Sequence, residues 1–210
     1  MKLLTIDSST SSCSVALTSG DQVVAEHFLS GTRTLSSRLL SSVDLVLQGS
    51  GLTMADIDGL GVALGPGAFT ALRVGIATVK GLALAAGKPA VGFSSLAMLA
   101  MNLPWASHPV CPLFDARKGE VYAGLYRCSG LPEALIEDCV APPRAFLAQI
   151  SGPTIFVGEG ALRYREEIIA ALGDDALFAP SFAHQPRASV GALLARCAFE
   201  GTHGIPLARL

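Results

Sequence analysis

Two aspartates carry the first hint of chemistry. Asp7 follows the apolar run from Lys2 to Ile6 and precedes a hydroxyl-rich turn, Ser8-Ser9-Thr10-Ser11-Ser12-Cys13. Asp115 follows the apolar run from Val110 to Phe114 and precedes Ala116-Arg117-Lys118-Gly119. In a two-lobed nucleotide-hydrolysing protein, carboxylates at matching strand ends facing a cleft hold magnesium or orient water. Neighbouring glycine turns wrap the phosphates with backbone N–H groups. Here the first turn has no glycine and the second has one. Without glycine the backbone wraps a triphosphate poorly, so both turns read as eroded. A third candidate is Gly65-Pro66-Gly67-Ala68-Phe69-Thr70, which joins an apolar strand to a helix N-terminus. Free N–H groups there favour an anion, and Thr70 is placed to cap the helix. A tight turn that needs glycine for its backbone angles is the simpler reading of the same residues, and the two are compatible.

Other chemistries lack support in the spacing. His27, His108, His184 and His203 are far apart, with no HExxH and no Cys/His ligand pattern, so no metal is expected. Gly92-Phe93-Ser94-Ser95-Leu96 lacks the second glycine of a nucleophile elbow. Gly81 to Pro89 mimics a phosphate loop, but Pro89 stands where a magnesium-binding hydroxyl is required. Cys13, Cys111, Cys128, Cys139 and Cys197 are odd in number and scattered, which reads as free thiols in a reducing compartment.

The elements that must position these residues are legible from periodicity. Cys13 to Thr18 and Gln22 to Leu29 follow the first run as strands, with Ser19-Gly20-Asp21 as the hairpin turn. From Thr32 to Leu47 the period changes: Leu35, Leu39, Leu40, Val43, Val46 and Leu47 cover an arc of roughly 140°, an amphipathic helix. Thr53 and Asp56 frame a short turn, and Leu60 to Leu64 reads as a central strand. A second helix, Thr70 to Ala86, carries only Arg73 and Lys80 as charges. Its apolar and small residues cover roughly 200°, whereas covering one side of a sheet takes only about 100°. Cover on a second side is therefore expected, from elsewhere in this chain or from another, and the small-residue stripe Ala77, Gly81, Ala85 would let another backbone approach. The pattern strand–Asp–turn–strand recurs about a hundred residues on, in Val110 to Arg127, which implies two lobes of related α/β fold. Thr154 to Val157 reads as a strand, Ala161 to Leu172 and Val190 to Phe199 as helices, and Gly173 to Ala188 as loop. The lobes are assigned to residues 1–103 and 104–210, with the last helix a candidate to pack back on the first lobe.

Composition narrows the class. Of 210 residues half are apolar and 15% charged, which excludes a disordered chain. The mean hydropathy of +0.50 is high for a soluble monomer. The stretch from Pro89 to Phe114 lacks charges but is broken by prolines and polar residues, so no membrane span is expected there. Asp7 follows Lys2 too closely for a signal sequence. The expected location is cytoplasmic, with the surplus apolar surface hidden by a protein partner. A net charge of −2 argues against a chain that grips a nucleic-acid backbone by itself.

Taken together, the motifs resemble the TsaB (YeaZ) family. The matching stretches are Leu4-Thr5-Ile6-Asp7-Ser8-Ser9-Thr10, Cys13 to Leu17, Gly65-Pro66-Gly67-Ala68-Phe69-Thr70-Ala71-Leu72-Arg73 and Val74 to Ala83. They continue with Gly92 to Leu96, Asp115-Ala116-Arg117-Lys118-Gly119-Glu120-Val121-Tyr122 and, more thinly, Phe156 to Gly160. The resemblance implies an actin-like ATPase (ASKHA, RNase H-like) fold that has lost its catalytic equipment. It implies a dimerisation subunit for a TsaD-type catalytic protein, working with a TsaE-type ATPase, in placing threonylcarbamoyl on the adenosine beside the tRNA anticodon. It further implies a homodimer when alone, tRNA held only indirectly, and no cofactor on this chain by itself, with an adenine nucleotide at a subunit junction as the one candidate. The two N-lobe helices would form a four-helix contact with the partner, for which Leu39, Val43, Leu72, Ile76, Val79 and Ala83 are the expected residues. The chain departs from the family pattern at Leu35, where a histidine is usual, at Ala68 and Ala71 in the loop, and in its tail. An active nucleotide-dependent enzyme of the same fold, resting on Asp7, Asp115 and the glycine loop, and a glycoprotease-like peptidase are the rival readings.

Overall fold

The computed structural model describes residues 1–31, 35–201 and 205–206, with only the backbone at 35–37 and 205–206. The chain divides into two compact units, residues 1–95 with 186–210, and residues 96–185.

The first unit opens with the expected meander, β1 (Lys2–Asp7), β2 (Cys13–Ser19) and β3 (Gln22–Leu29), followed by α1 (Leu35–Gly49), β4 (Gly59–Gly65), α2 (Phe69–Ala86) and β5 (Ala90–Ser94). It is completed by α7 (Ala188–Phe199) and the short β11 (Ile205–Pro206). Among the described residues the sheet has the order β11-β5-β4-β1-β2-β3, with β1 parallel to β4 and antiparallel to β2. Alternation sorts the two faces. Leu4, Ile6, Leu60 and Val62 join Leu39, Val43, Val46, Leu47 and Val79 of the two helices in one core. On the opposite face β4 presents Gly59 and Gly61, and a Cβ there would meet Phe199 and Ala195 of α7 at 2.6 and 2.7 Å. Glycine at alternate positions of β4 is thus what lets α7 lie directly on the sheet. The first turn of α7 is tied to the meander. Ser14 Oγ accepts from Ala188 N (3.0 Å), and Glu26 accepts from Ser189 N (3.2 Å) and Ser189 Oγ (2.9 Å) while pairing with Arg187 (3.3 Å). A carboxylate at a helix N-terminus satisfies orphan donors and complements the dipole.

The second unit holds α3 (Ser95–Ala100), whose first residue still belongs to the first unit, then β6 (Val110–Arg117), β7 (Glu120–Cys128), β8 (Pro132–Ala141), α4 (Pro143–Leu147), β9 (Thr154–Val157), α5 (Glu159–Arg163), α6 (Arg165–Leu172) and β10 (Ala176–Phe178). Its sheet has the order β10-β9-β6-β7-β8. Gly158 and Gly160 are required by contact: a Cβ on either would press on the Leu113 backbone of β6, at 2.3 and 2.9 Å.

Several expectations need correction. The unit boundary lies at Ser95/Leu96 rather than at 103, whereas the last helix, the candidate to pack back on the first lobe, does so: α7 packs on β1, β2, β4 and β5. Thr32 to Thr34, expected to open α1, lie outside the described residues. The helix expected over Ala161–Leu172 is two helices meeting at Tyr164. The segment 173–188 is not simple loop: Ala176–Phe178 adds a parallel strand beside β9, a pairing that local composition does not announce. Thr70 caps nothing; Ala68 is the N-cap of α2, without a side-chain bond, and Thr70 lies inside the helix.

Candidate functional site

The β1 end of the first unit is closed by its own chain. Asp7 is fully buried, as are Ser8, Ser9, Thr10 and Ser12. Asp7 Oδ1 accepts from Ser9 N (3.1 Å), and Thr10 Oγ1 lies 2.7 Å from Ser12 Oγ and accepts from Ser12 N (3.2 Å). The turn after β4 lies directly over this segment. Ala68 N donates to Ser9 O (2.7 Å) and Ser8 Oγ donates to Ala71 O (2.8 Å). The approach is so close that a Cβ on Gly67 would sit 2.2 Å from Ser9 O, and one on Gly75 would sit 2.3 Å from Ser8 Oγ. Gly65, whose bond to Pro66 is cis, has φ +116, a backbone conformation reserved for glycine. The glycine loop is therefore a tight turn that grips the hydroxyl turn, the simpler of the two readings. Burial pushes the Asp7 carboxyl up to about 6, against the hydrogen bonds from Ser9 and Ser8 that favour its ionised form. Asp7 Oδ2, Ser9 Oγ and Thr5 Oγ1 are buried without a hydrogen-bond partner.

The equivalent turn of the second unit is built differently. Asp115 Oδ1 accepts from Arg117 N (3.0 Å) and from Tyr164 Oη (3.3 Å), and Oδ2 pairs with Arg163 at 3.1 Å. Burial, with the Asp115 charge adding, raises the nearby Glu159 carboxyl; Arg163 and Arg117 oppose that shift. Arg117 and Lys118 are exposed at the hairpin tip.

The residues expected to meet a partner mostly do not face outward. Leu39, Val43, Leu72 and Val79 are buried in the first unit's own core, and Ile76 and Ala83 are half-buried against it. Large branched side chains are the ones a core takes first, so choosing them for an interface selected the inner side of both helices. What α2 leaves open is the other side. Phe69 is 72% and Leu84 86% exposed, with Ala77, Lys80 and Gly81 exposed between them, Ala85 exposed just beyond, and Arg73 lying over the Phe69 ring. On α1, Leu40 and Leu45 are exposed as well. By length and composition α2 is apolar enough to cross a membrane, yet its inner side packs on β4 and α1.

Among the described residues no group of three or more His, Cys, Asp or Glu is placed to hold a metal ion. His184, which sequence reasoning passed over, is a buried brace: Nδ1 accepts from Gly158 N (3.1 Å) and Nε2 lies 3.0 Å from Ala179 O. Such a role has no spacing signature, because its partners are backbone groups. All five cysteines are free, and burial pushes the Cys13 thiol up to about 12.

Comparison with known proteins agrees with this construction. The family model of TsaD, tRNA N6-adenosine threonylcarbamoyltransferase, matches residues 22–188. The tRNA threonylcarbamoyladenosine biosynthesis protein TsaB of Bacillus subtilis is 32% identical over 200 residues, covering 93% of this chain and 87% of that protein. The solved structure of YeaZ from Pseudomonas aeruginosa superposes with a TM-score of 0.83 at 28% identity, covering 99% of this chain and 96% of that one. The ROK hexokinase of Thermus thermophilus shares the fold alone, with a TM-score of 0.54 at 12% identity over 96% of this chain and 100% of that one. The fold is the actin-like ATPase fold expected from the motifs, and the chain belongs to the TsaB (YeaZ) family, within the wider family described by the TsaD model.

Proposed function

We propose that the chain is a non-catalytic subunit in the biosynthesis of threonylcarbamoyladenosine in tRNA, docking on a TsaD-type catalytic protein through the outer side of α2. The observation that carries this reading is the exposed side of α2, where Phe69 and Leu84 stand with the small residues Ala77 and Gly81 and the cations Arg73 and Lys80, on a helix whose other side is already packed. Exposed apolar surface of this kind marks an interaction site, and small residues let a second backbone come close. The closed β1 turn supports the non-catalytic half. Of the groups that would meet a phosphate, Ser8 Oγ is held by Ala71 O, Ser9 N by Asp7, and Thr10 Oγ1 and Ser12 Oγ by each other, while Ser9 Oγ is buried. A nucleotide-dependent enzyme would need that turn open. The reading places the chain in the cytoplasm beside its tRNA, joins it to a TsaE-type ATPase through the complex, and pairs it with a second copy when no partner is present. It assigns no cofactor to this chain alone and leaves an adenine nucleotide to the junction between subunits.

The test is the mass by light scattering on size exclusion, for the chain alone and mixed with the TsaD-type protein of the same organism. Wild type is expected to co-elute with the partner. The double variant Ala77→Glu/Leu84→Glu is expected to elute alone while its thermal midpoint moves by only a few degrees, since exposed substitutions shift stability by about 0.5 kcal/mol or less. Retention of the complex by that variant would remove α2 from the interface.

A further inference from the structure

The hairpin between β6 and β7 spends backbone strain to display cations. Arg117, Lys118 and Gly119 have φ of 66°, 52° and 80°. A two-residue turn of this type is most easily made by Asn-Gly. A left-handed residue with a Cβ costs about 1 kcal/mol. Two long basic side chains therefore occupy positions that local backbone preference would give to other residues.

The tip is also tied to a third cation. Asp115 holds the Arg117 N–H with one oxygen and the Arg163 guanidinium with the other, and Tyr164 supports both by donating to Asp115 and lying beneath Arg163, whose guanidinium carbon is 5.8 Å from the ring centre. Arg163 nevertheless remains 63% exposed. Three carboxylates lie nearby. The charge of Asp115 is engaged with Arg163, Glu159 is half-buried, and Glu120 stands opposite Arg117 at the base of the turn.

We propose that Arg117, Lys118 and Arg163 contact the phosphodiester backbone of RNA, with Asp115 as the positioning residue. This inference rests on the tRNA-modification reading above and adds to it a direct contact by this chain. A mononucleotide phosphate is ordinarily cradled by backbone N–H groups of a glycine turn. Here the Arg117 N–H is already committed to Asp115, and the free donors are long side chains standing in solvent. That arrangement suits an extended polyanion, where each neutralised phosphate adds to the salt dependence. The overall charge of −2 is compatible, because the contact is local and the TsaD-type partner supplies the remaining grip.

The test is a fluorescence anisotropy titration with an unmodified tRNA transcript across a salt series, for the isolated chain and for its mixture with the TsaD-type partner. Arg117→Asn/Lys118→Asn is the variant of choice, because Asn accepts the left-handed backbone and keeps the hairpin folded. The magnitude of the slope of log affinity against log salt is expected to fall by roughly 1.5, as for two lost phosphate contacts, with a several-fold loss of affinity. Asp115→Asn, which frees Arg163, is expected to give a smaller loss in the same direction. An unchanged slope for the double variant in both preparations would overturn the proposal. So would loss of ATP binding by calorimetry in that variant with tRNA affinity intact, since the cations would then serve a mononucleotide. Co-elution with the partner is a separate readout: it fails for wild type if the subunit reading is wrong, and it survives in both hairpin variants if only the RNA contact is wrong.

Discussion

The two aspartates end strands with the same local pattern, yet they live in opposite environments. Asp7 is fully buried below a turn whose Ser9 meets the Gly67–Ala68 backbone, with one oxygen unpartnered and its carboxyl raised to about 6. Asp115 is partly open, has both oxygens engaged, and organises a basic hairpin. The difference comes from what lies above each turn. In the first unit a glycine loop and the start of α2 press down on the hydroxyls; in the second, short α5 contributes Arg163 and Tyr164 from the side. Burial without a cation raises the proton affinity of the first carboxyl, and pairing with a cation makes the second an anchor.

The sharpest way to break this contrast is to add a methyl group where the first turn is closed. Gly67→Ala places a Cβ against Ser9 O, a backbone atom that cannot yield, and is expected to cost about 3 kcal/mol in urea unfolding. The pH dependence comes next. Because the folded Asp7 carboxyl titrates near 6 and an unfolded one near 3.8, the native state binds the proton more tightly. Its contribution to stability is fully present below about pH 4, declines as pH rises toward 6, and stays lost above that. Asp7→Asn is expected to remove this decline, worth about 2 kcal/mol between pH 4 and pH 7, in paired denaturation curves. If wild type and Asp7→Asn run parallel across that window, Asp7 is not the buried acid described here. In the second unit the effects are smaller. Gly119→Ala meets nothing within 4 Å and is charged only for its φ of +80°, so about 1 kcal/mol is expected in the same assay. Asp115→Asn, acting on a partner that is mostly exposed, is expected to cost no more than about 1 kcal/mol, largely erased by high salt.

The meander, α1, β4 and α2 were legible because each has its own local signal: apolar runs in β1 and β4, a 3.6-residue stripe in α1, a glycine turn at the start of α2. β8, α4 and β10 were not foreseen. β10 is three residues long and exists only by pairing with β9, so no window of sequence contains the cause. The partner residues show the same limit within one helix. The wide apolar arc of α2 was readable, but which part of it faces inward was not, and the exposed side carries Arg73 and Lys80 as well as Phe69 and Leu84. Leu72 and Val79 went to the core, and Phe69 and Leu84 stayed outside.

By itself the sequence determined the order of most elements, the two-unit α/β plan, the absence of ligand spacing among its histidines, and the family to which the motifs point. The first three are properties of local period, composition and spacing; the family rests on the resemblance of whole motifs. The tertiary structure alone decided that α7 returns to the first unit, that Gly59 and Gly61 make room for it, that Asp7 is closed while Asp115 is paired, and which side of α2 remains bare. Each of those depends on a contact between residues far apart in the chain, and contact of that kind has no periodicity to read.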